Sequence, residues 1–188
     1  MVSNDEPLPV PEVQRIGVIG AGQMGWGIAE VATLARYEVR LVDISQEQLE
    51  RALERMRDYT DRRVQKGQLT PADREAALAR VRTGTSYELF ADCQLVIEAA
   101  TEDEGIKREI LKGVIGHIPR DALIATNTSS ISITRLAAVT DRPERFIGMH
   151  FMNPVPVMKL VELIRGIATD EATFRAIRAI TESSARPR

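Results

Sequence analysis

The stretch Arg15-Ile-Gly-Val-Ile-Gly-Ala-Gly-Gln-Met-Gly-Trp-Gly-Ile-Ala29 decides the fold. Its opening residues form a short apolar run, rich in β-branched side chains and closed by glycine, which predicts a buried strand. Ile28, Val31, Ala32, Leu34 and Ala35 follow at near-helical spacing. Gly20-x-Gly22-x-x-Gly25 falls in the gap between strand and helix. The first glycine permits a tight turn, the second lets a pyrophosphate approach the backbone, and the third allows close helix–strand packing. A helix beginning near Met24 would turn free N–H groups and a positive dipole end towards the phosphates. Gln23 and Met24 share this turn and join Gly20, Gly22 and Gly25 as candidate cofactor-binding residues. A glycine triplet alone often marks only a tight turn, so its context matters. Val39-Arg-Leu-Val42 reads as a second strand, and it ends at Asp43. That carboxylate is suited to accept hydrogen bonds from the adenosine ribose, and its charge would repel a 2′-phosphate. Ile44-Ser45 supply no Arg or Lys beside it, so NAD is expected rather than NADP.

Outward from this unit, residues 1–13 are polar and proline-rich and read as a loose tail. From Gln46 to about Lys66, Leu49, Leu53, Met56, Tyr59 and Arg63 recur every three or four residues, predicting a long amphipathic helix. Thr70 and Pro71 supply an N-cap and a first helical residue for a second helix to about Arg80. Together these form an inserted helical hairpin at about 46–81. Further strands are expected at 95–97, 123–126, 146–150 and 158–163, with helices at 106–116 and from about Asp170. Alternating strands and helices imply a doubly wound, Rossmann-type α/β fold with a mostly parallel sheet. The domain is expected over 14–182, with a polar tail at 183–188.

Composition limits the function classes. In 188 residues, 25 Lys and Arg face 27 Asp and Glu, a net charge of −2. This is no footprint for nucleic-acid binding, which draws its affinity from neutralised phosphates. The longest stretch free of Asp, Glu, Lys and Arg, Ile16 to Ala29, is too short and glycine-rich to span a bilayer. No signal peptide is expected, because Asp5, Glu6, Pro7, Pro9 and Pro11 interrupt the N-terminus. One cysteine, Cys93, permits no intrachain disulfide and suits a reducing, cytoplasmic setting. With two histidines and one cysteine, no metal site is expected.

Several blocks beyond the glycine loop carry a resemblance. They are Gly20-Ala-Gly-Gln-Met-Gly-Trp-Gly-Ile-Ala29, Val96-Ile-Glu-Ala99 with Glu102 and Lys107, Thr126-Asn-Thr-Ser-Ser130, and Arg145-Phe-Ile-Gly-Met-His-Phe-Met-Asn-Pro-Val-Pro-Val-Met-Lys-Leu-Val-Glu162. In this order, over residues 15 to about 180, the chain resembles the L-3-hydroxyacyl-CoA dehydrogenase family, including the bacterial 3-hydroxybutyryl-CoA dehydrogenases. The resemblance implies an NAD enzyme that reversibly oxidises the 3-hydroxyl of an acyl-CoA. It implies His150 as catalytic base, Glu162 as its carboxylate partner, and Ser129 as a contact of both substrate and nicotinamide. Glu102, Lys107 and Asn153 would be cofactor contacts near the nicotinamide ribose, and Lys66 would meet the CoA phosphates. A full-length relative would be a homodimer whose all-helical second domain carries a further catalytic asparagine. That domain is absent from these residues, so turnover by this chain alone is expected to be impaired.

The chemistry asks for such residues. Removing hydride from a secondary alcohol leaves a proton on oxygen, and histidine suits its acceptance near neutral pH. His117, at a helix C-terminus before Pro119, reads as a solvated residue. His150, at the end of an apolar strand, could equally be structural. Glu162 interrupts the run Leu160-Val161 and Leu163-Ile164, where an unpaired buried carboxylate would be costly and a histidine partner would relieve it. The alternative for Glu162 is an outward-facing position on an alternating strand. Ser129 and Ser130 follow a strand at the edge where open α/β sheets bind ligands, and either, Ser130 above all, could instead cap a helix. Most charges of 46–66 form a solvated face with pairs such as Glu47 with Arg51. Arg62, Arg63 and Lys66 are the fraction that could attract a phosphorylated adenosine. Two readings stay open besides the dehydrogenase domain: a non-catalytic NAD-binding module, and another β-hydroxyacid dehydrogenase sharing the Rossmann half.

Overall fold

In the computed structural model, residues 9–184 are described, and the expected tail segments 1–8 and 185–188 lie outside them. The glycine-bounded run forms β1 (Arg15–Ile19), its last four residues buried. It leads through the loop into α1 (Gln23–Leu34) and β2 (Glu38–Val42). The hairpin is α2 (Gln46–Gln65) and α3 (Pro71–Ala79). The Ser45 and Thr70 hydroxyls cap their helices by accepting from the Gln48 and Asp73 N–H groups, and Glu47 pairs with Arg51. Then come β3 (Val81–Gly84), β4 (Leu95–Glu98), α4 (Glu104–Val114), β5 (Leu123–Thr126) and α5 (Ile133–Ala137). The described chain ends with β6 (Phe146–Phe151), β7 (Val161–Arg165) and α6 (Glu171–Ser184).

The strands form one seven-stranded sheet in the order β3-β2-β1-β4-β5-β6-β7. All neighbours are parallel except β6 and β7. From β1 the chain winds one way to β2 and β3, then returns to β4 on the other side of β1. Such a reversal opens a crevice at the carboxyl ends of the two strands, where ligands of open α/β sheets bind.

Helices cover both faces. On one, Ile28, Leu49, Met56 and Ile177 pack with Val18, Leu41, Leu95 and Ile97. On the other, Leu111, Val114, Ile133 and Leu136 pack with Val96, Ile124 and Phe146. Each fully buried aliphatic side chain contributes about 1.5–3 kcal/mol before the cost of ordering it. Cys93 belongs to the second layer, and burial pushes its thiol up to about 12, which makes it inert.

The structure departs from expectation at the sheet edges. Val81-Arg-Thr-Gly84, read only as the hairpin's end, is the edge strand β3; with one large apolar residue it carries no readable alternation. The last strand was expected at 158–163 and lies at Val161–Arg165. The Val157 and Met158 N–H groups donate to the Pro154 carbonyl, so Met158 closes a turn instead of opening a strand. Residues 9–13 also differ from a loose tail, since Val10 and Val13 pack against the core. Ser132, not Ser130, caps the helix after β5.

Candidate functional site

At the crevice, Gly20 turns the chain with φ 99°, a left-handed conformation, and a Cβ there would stand 2.6 Å from the Ala100 Cα. At Gly25 a Cβ would fall 1.6 Å from the Gly20 carbonyl oxygen, so only glycine lets α1 start this close to the loop. Around Gly22 the requirement is inverted: a Cβ would meet nothing within 4 Å. The space in front of this residue is open, as a backbone must be if a bulky anion is to approach it. Asp43 holds the loop from the end of β2. Its Oδ2 accepts from the Ala21 N–H at 2.9 Å and its Oδ1 from the Ser45 N–H at 2.8 Å. Each carboxylate oxygen has a second lone pair, leaving capacity for ribose hydroxyls. Ile44 beside it is exposed and uncharged. These residues fit a dinucleotide without a 2′-phosphate.

A buried polar knot lies across the crevice. Glu98, the last residue of β4, and Lys107 on α4 are both wholly buried and ion-paired at 2.5 Å. The Lys107 ammonium also donates to the Asn127 carbonyl at 3.0 Å and reaches the Thr126 hydroxyl at 3.4 Å. Glu98 further accepts from the Thr126 hydroxyl and the Ala100 N–H. This full hydrogen bonding is what a buried ion pair needs to offset its desolvation. Lys107 was expected as a direct cofactor contact. In the structure its ammonium is bonded inside the protein, where it ties the ends of β4 and β5 together. The loops above are joined by a 3.0 Å hydrogen bond from the Thr128 hydroxyl to Glu102. Glu102 and Ser129 are exposed on the carboxyl side of the sheet.

On β6 and β7, His150 and Glu162 are direct cross-strand partners, and His150 Nδ1 lies 2.9 Å from Glu162 Oε2. Antiparallel register thus aligns them: opposed residues place their Cβ atoms about 4.5–5.5 Å apart. Glu162 is 54% exposed, so strand register and not burial dictates the pairing. An ionised carboxylate only accepts; the neutral imidazole therefore carries its proton on Nδ1 and offers Nε2 as a proton acceptor. Asn127 ties this strand to β5, its Oδ1 accepting from the Phe151 N–H at 3.0 Å. Beyond Phe151, exposed Asn153 accepts from Gln23 Nε2 at 3.4 Å, so the turn after β6 meets the start of α1. Gly20, Gly22, Gln23, Gly25, Asp43, Glu102, Ser129, His150, Asn153 and Glu162 accordingly lie along the carboxyl side of the sheet. Met24 lies with them in the first turn of α1 and packs on the core. Lys66, the C-cap of α2, is exposed at the far end of the hairpin.

Glu98, Asn127 and Thr128 were not singled out from sequence as functional. The signal for Glu98 was present, since a carboxylate ending the apolar run Leu95-Val-Ile97 poses the same question as Glu162. His117 stays apart from the site, its ring edge-on to Tyr87. Among the described residues no cluster of His, Cys, Asp or Glu could hold a metal, and no helix is long and apolar enough to cross a membrane.

Residues 15–186 match the family model for the 3-hydroxyacyl-CoA dehydrogenase NAD binding domain. A 3-hydroxybutyryl-CoA dehydrogenase of Bradyrhizobium diazoefficiens is 52% identical over 164 residues, 87% of this chain and 56% of the relative. A 3-hydroxyadipyl-CoA dehydrogenase of Escherichia coli is 46% identical over 84% of this chain and 33% of its own. Among solved structures, the (S)-3-hydroxybutyryl-CoA dehydrogenase of Ralstonia eutropha superposes with a TM-score of 0.91 at 46% identity, covering 93% of this chain and 62% of that one. The chain therefore spans between 33% and 62% of the length of these relatives.

Proposed function

The chain belongs to the 3-hydroxyacyl-CoA dehydrogenase family as its NAD-binding domain, and from that premise we propose that it serves the interconversion of L-3-hydroxyacyl-CoA and 3-ketoacyl-CoA. The observation that carries this reading is the His150–Glu162 pair, set in register on the same sheet edge as the glycine loop. NAD, when bound, supplies the hydride acceptor. Gly20, Gly22, Gly25 and Asp43 hold its adenosine and pyrophosphate half. Glu102, Asn153 and Ser129 flank the nicotinamide half, and Ser129 also meets the substrate. His150 takes the hydroxyl proton at Nε2. Glu162 keeps the imidazole in that tautomer and stabilises the imidazolium as it forms. Lys66 offers its ammonium to the CoA phosphates. The setting proposed is cytoplasmic, with homodimerisation belonging to the full-length relatives.

The test follows NADH absorbance in the presence of acetoacetyl-CoA. Expected are NADH binding and a slow oxidation that E162Q reduces and H150Q abolishes, because a positioned proton-transferring group contributes about 10²–10⁴-fold. Tight NADH binding without any oxidation by the unsubstituted chain would sink the activity as a property of this polypeptide. Oxidation that survives H150Q would overturn the role of the histidine.

A further inference from the structure

The turn joining β6 to β7 separates the two members of the dyad in sequence and carries Asn153 at its start. It is closed on itself by hydrogen bonds from the Val157 and Met158 N–H groups to the Pro154 carbonyl. Val155 plugs against Gly27 of α1, where a Cβ would come within 2.8 Å of the Val155 Cβ. Beneath lies an apolar cavity of about 80 Å³ lined by Ile28, Met149, Phe151, Val155 and Met158 among others. Directional attachment comes from two sides: Gln23 of α1 donates to Asn153 at 3.4 Å, and the Tyr59 hydroxyl on α2 donates to the Pro156 carbonyl at 3.2 Å. The Tyr59 ring is in turn braced by Trp26 of α1, their centroids 6.3 Å apart and tilted by 60°.

We propose that Tyr59 is a positioning residue for the nicotinamide half of the cofactor site, holding the β6–β7 turn so that Asn153 stands beside Gln23. The inference rests on the dinucleotide site described above and extends it to the hairpin, which otherwise touches neither cofactor nor dyad. A tyrosine at this one position makes α2, whose far end carries Lys66, mechanically continuous with the turn that leads into Glu162. Displacing the far part of the hairpin then displaces Asn153, whereas the glycine loop is held from β2 by the Gly20 N–H donating to the Val42 carbonyl.

This asymmetry supplies the test. ADP probes only the adenosine and pyrophosphate half, and NADH probes both halves. By calorimetry, Y59F, which keeps the ring against Trp26 and deletes one hydrogen bond, is expected to weaken NADH about three- to tenfold and leave ADP unchanged. V155A, which loosens the same turn from α1 without touching the hydroxyl, is expected to show the same split. Equal weakening of both ligands in Y59F would mean a merely structural role and overturn the proposal. So would NADH affinity unchanged in Y59F. Failure of the unsubstituted chain to bind either ligand would overturn the dinucleotide reading, and this inference with it.

Discussion

Glu98 and Lys107 illustrate how a charge can be placed where water cannot reach. Each is wholly buried, and between them they use Thr126, Asn127 and the Ala100 N–H to satisfy both ends. K107M strands a buried carboxylate and is expected to cost about 3–5 kcal/mol, a loss of roughly 10 °C in Tm. Pairing it with E98L should recover only part, because the Ala100 N–H and the Thr126 hydroxyl then lose their acceptor; urea denaturation of single and double variants measures this. Glu30 is the opposite case. It is fully buried on α1 with neither oxygen hydrogen-bonded, and burial raises its pKa from 4.5 to about 8, partly offset by Arg63 and Arg62. The folded state therefore keeps a proton that the unfolded chain releases from about pH 4.5. The stability contribution is full below pH 4.5, declines as pH rises from 4.5 to 8, and is level above. Its slope is at most about 1.4 kcal/mol per pH unit. E30Q removes the linkage, so its stability relative to the unsubstituted chain should rise from pH 5 to pH 8. A difference independent of pH would refute the assignment.

The strand–loop–helix element makes a sharper demand than its three glycines suggest in sequence, because each is needed for a different reason. G25A drives a methyl into the Gly20 carbonyl and is expected to cost at least the about 1–3 kcal/mol of an overpacked site. G22A meets no atom of the protein, so its Tm should stay unchanged while NADH affinity drops at least tenfold. A G22A variant that binds NADH normally would contradict the placing of the pyrophosphate there. Much at this scale was legible beforehand: the glycine spacing, Asp43 closing β2, and the Thr70-Pro71 start of α3 follow from local chemistry. The pairing of His150 with Glu162 could be suspected from two polar residues in apolar runs, yet the argument from burial was not the operative one. Register decides it, and register depends on the turn at 154–158, which Met158-Lys-Leu160 conceals by continuing the apolar run of β7. Likewise β3 is made a strand by its neighbour β2, and no feature of Val81-Arg-Thr-Gly84 announces that. For Lys107 the resemblance implied a place near the cofactor, and only the packed structure shows its ammonium bonded to Glu98, Thr126 and Asn127.

For the molecule as a whole, the sheet gathers its chemistry on one side. Five strands end parallel to β1, so their carboxyl ends and the loops beyond them face the same crevice, and β7 returns antiparallel to bring Glu162 back to His150. In the proposed reading, a ligand bound there touches both windings of the domain, the β1–β2 half through Gly22 and Asp43 and the β4–β6 half through the loops that carry Glu102 and Ser129. Binding to the folded form alone must then stabilise the whole domain by mass action. At a hundredfold excess of NADH over its Kd the gain is about 2.7 kcal/mol, or roughly 5–10 °C in Tm for a domain of this size. NADPH at the same concentration should give a smaller shift, because its 2′-phosphate would approach the Asp43 carboxylate with no cation beside it. D43R replaces that repulsion with attraction and removes the acceptor for the ribose hydroxyls, so the order of the two shifts should invert. The variant also loses the bonds from Asp43 to the Ala21 and Ser45 N–H groups; the unliganded Tm, measured alongside, separates that loss from the change in preference. An equal or larger shift with NADPH in the unsubstituted chain would overturn the role given to Asp43.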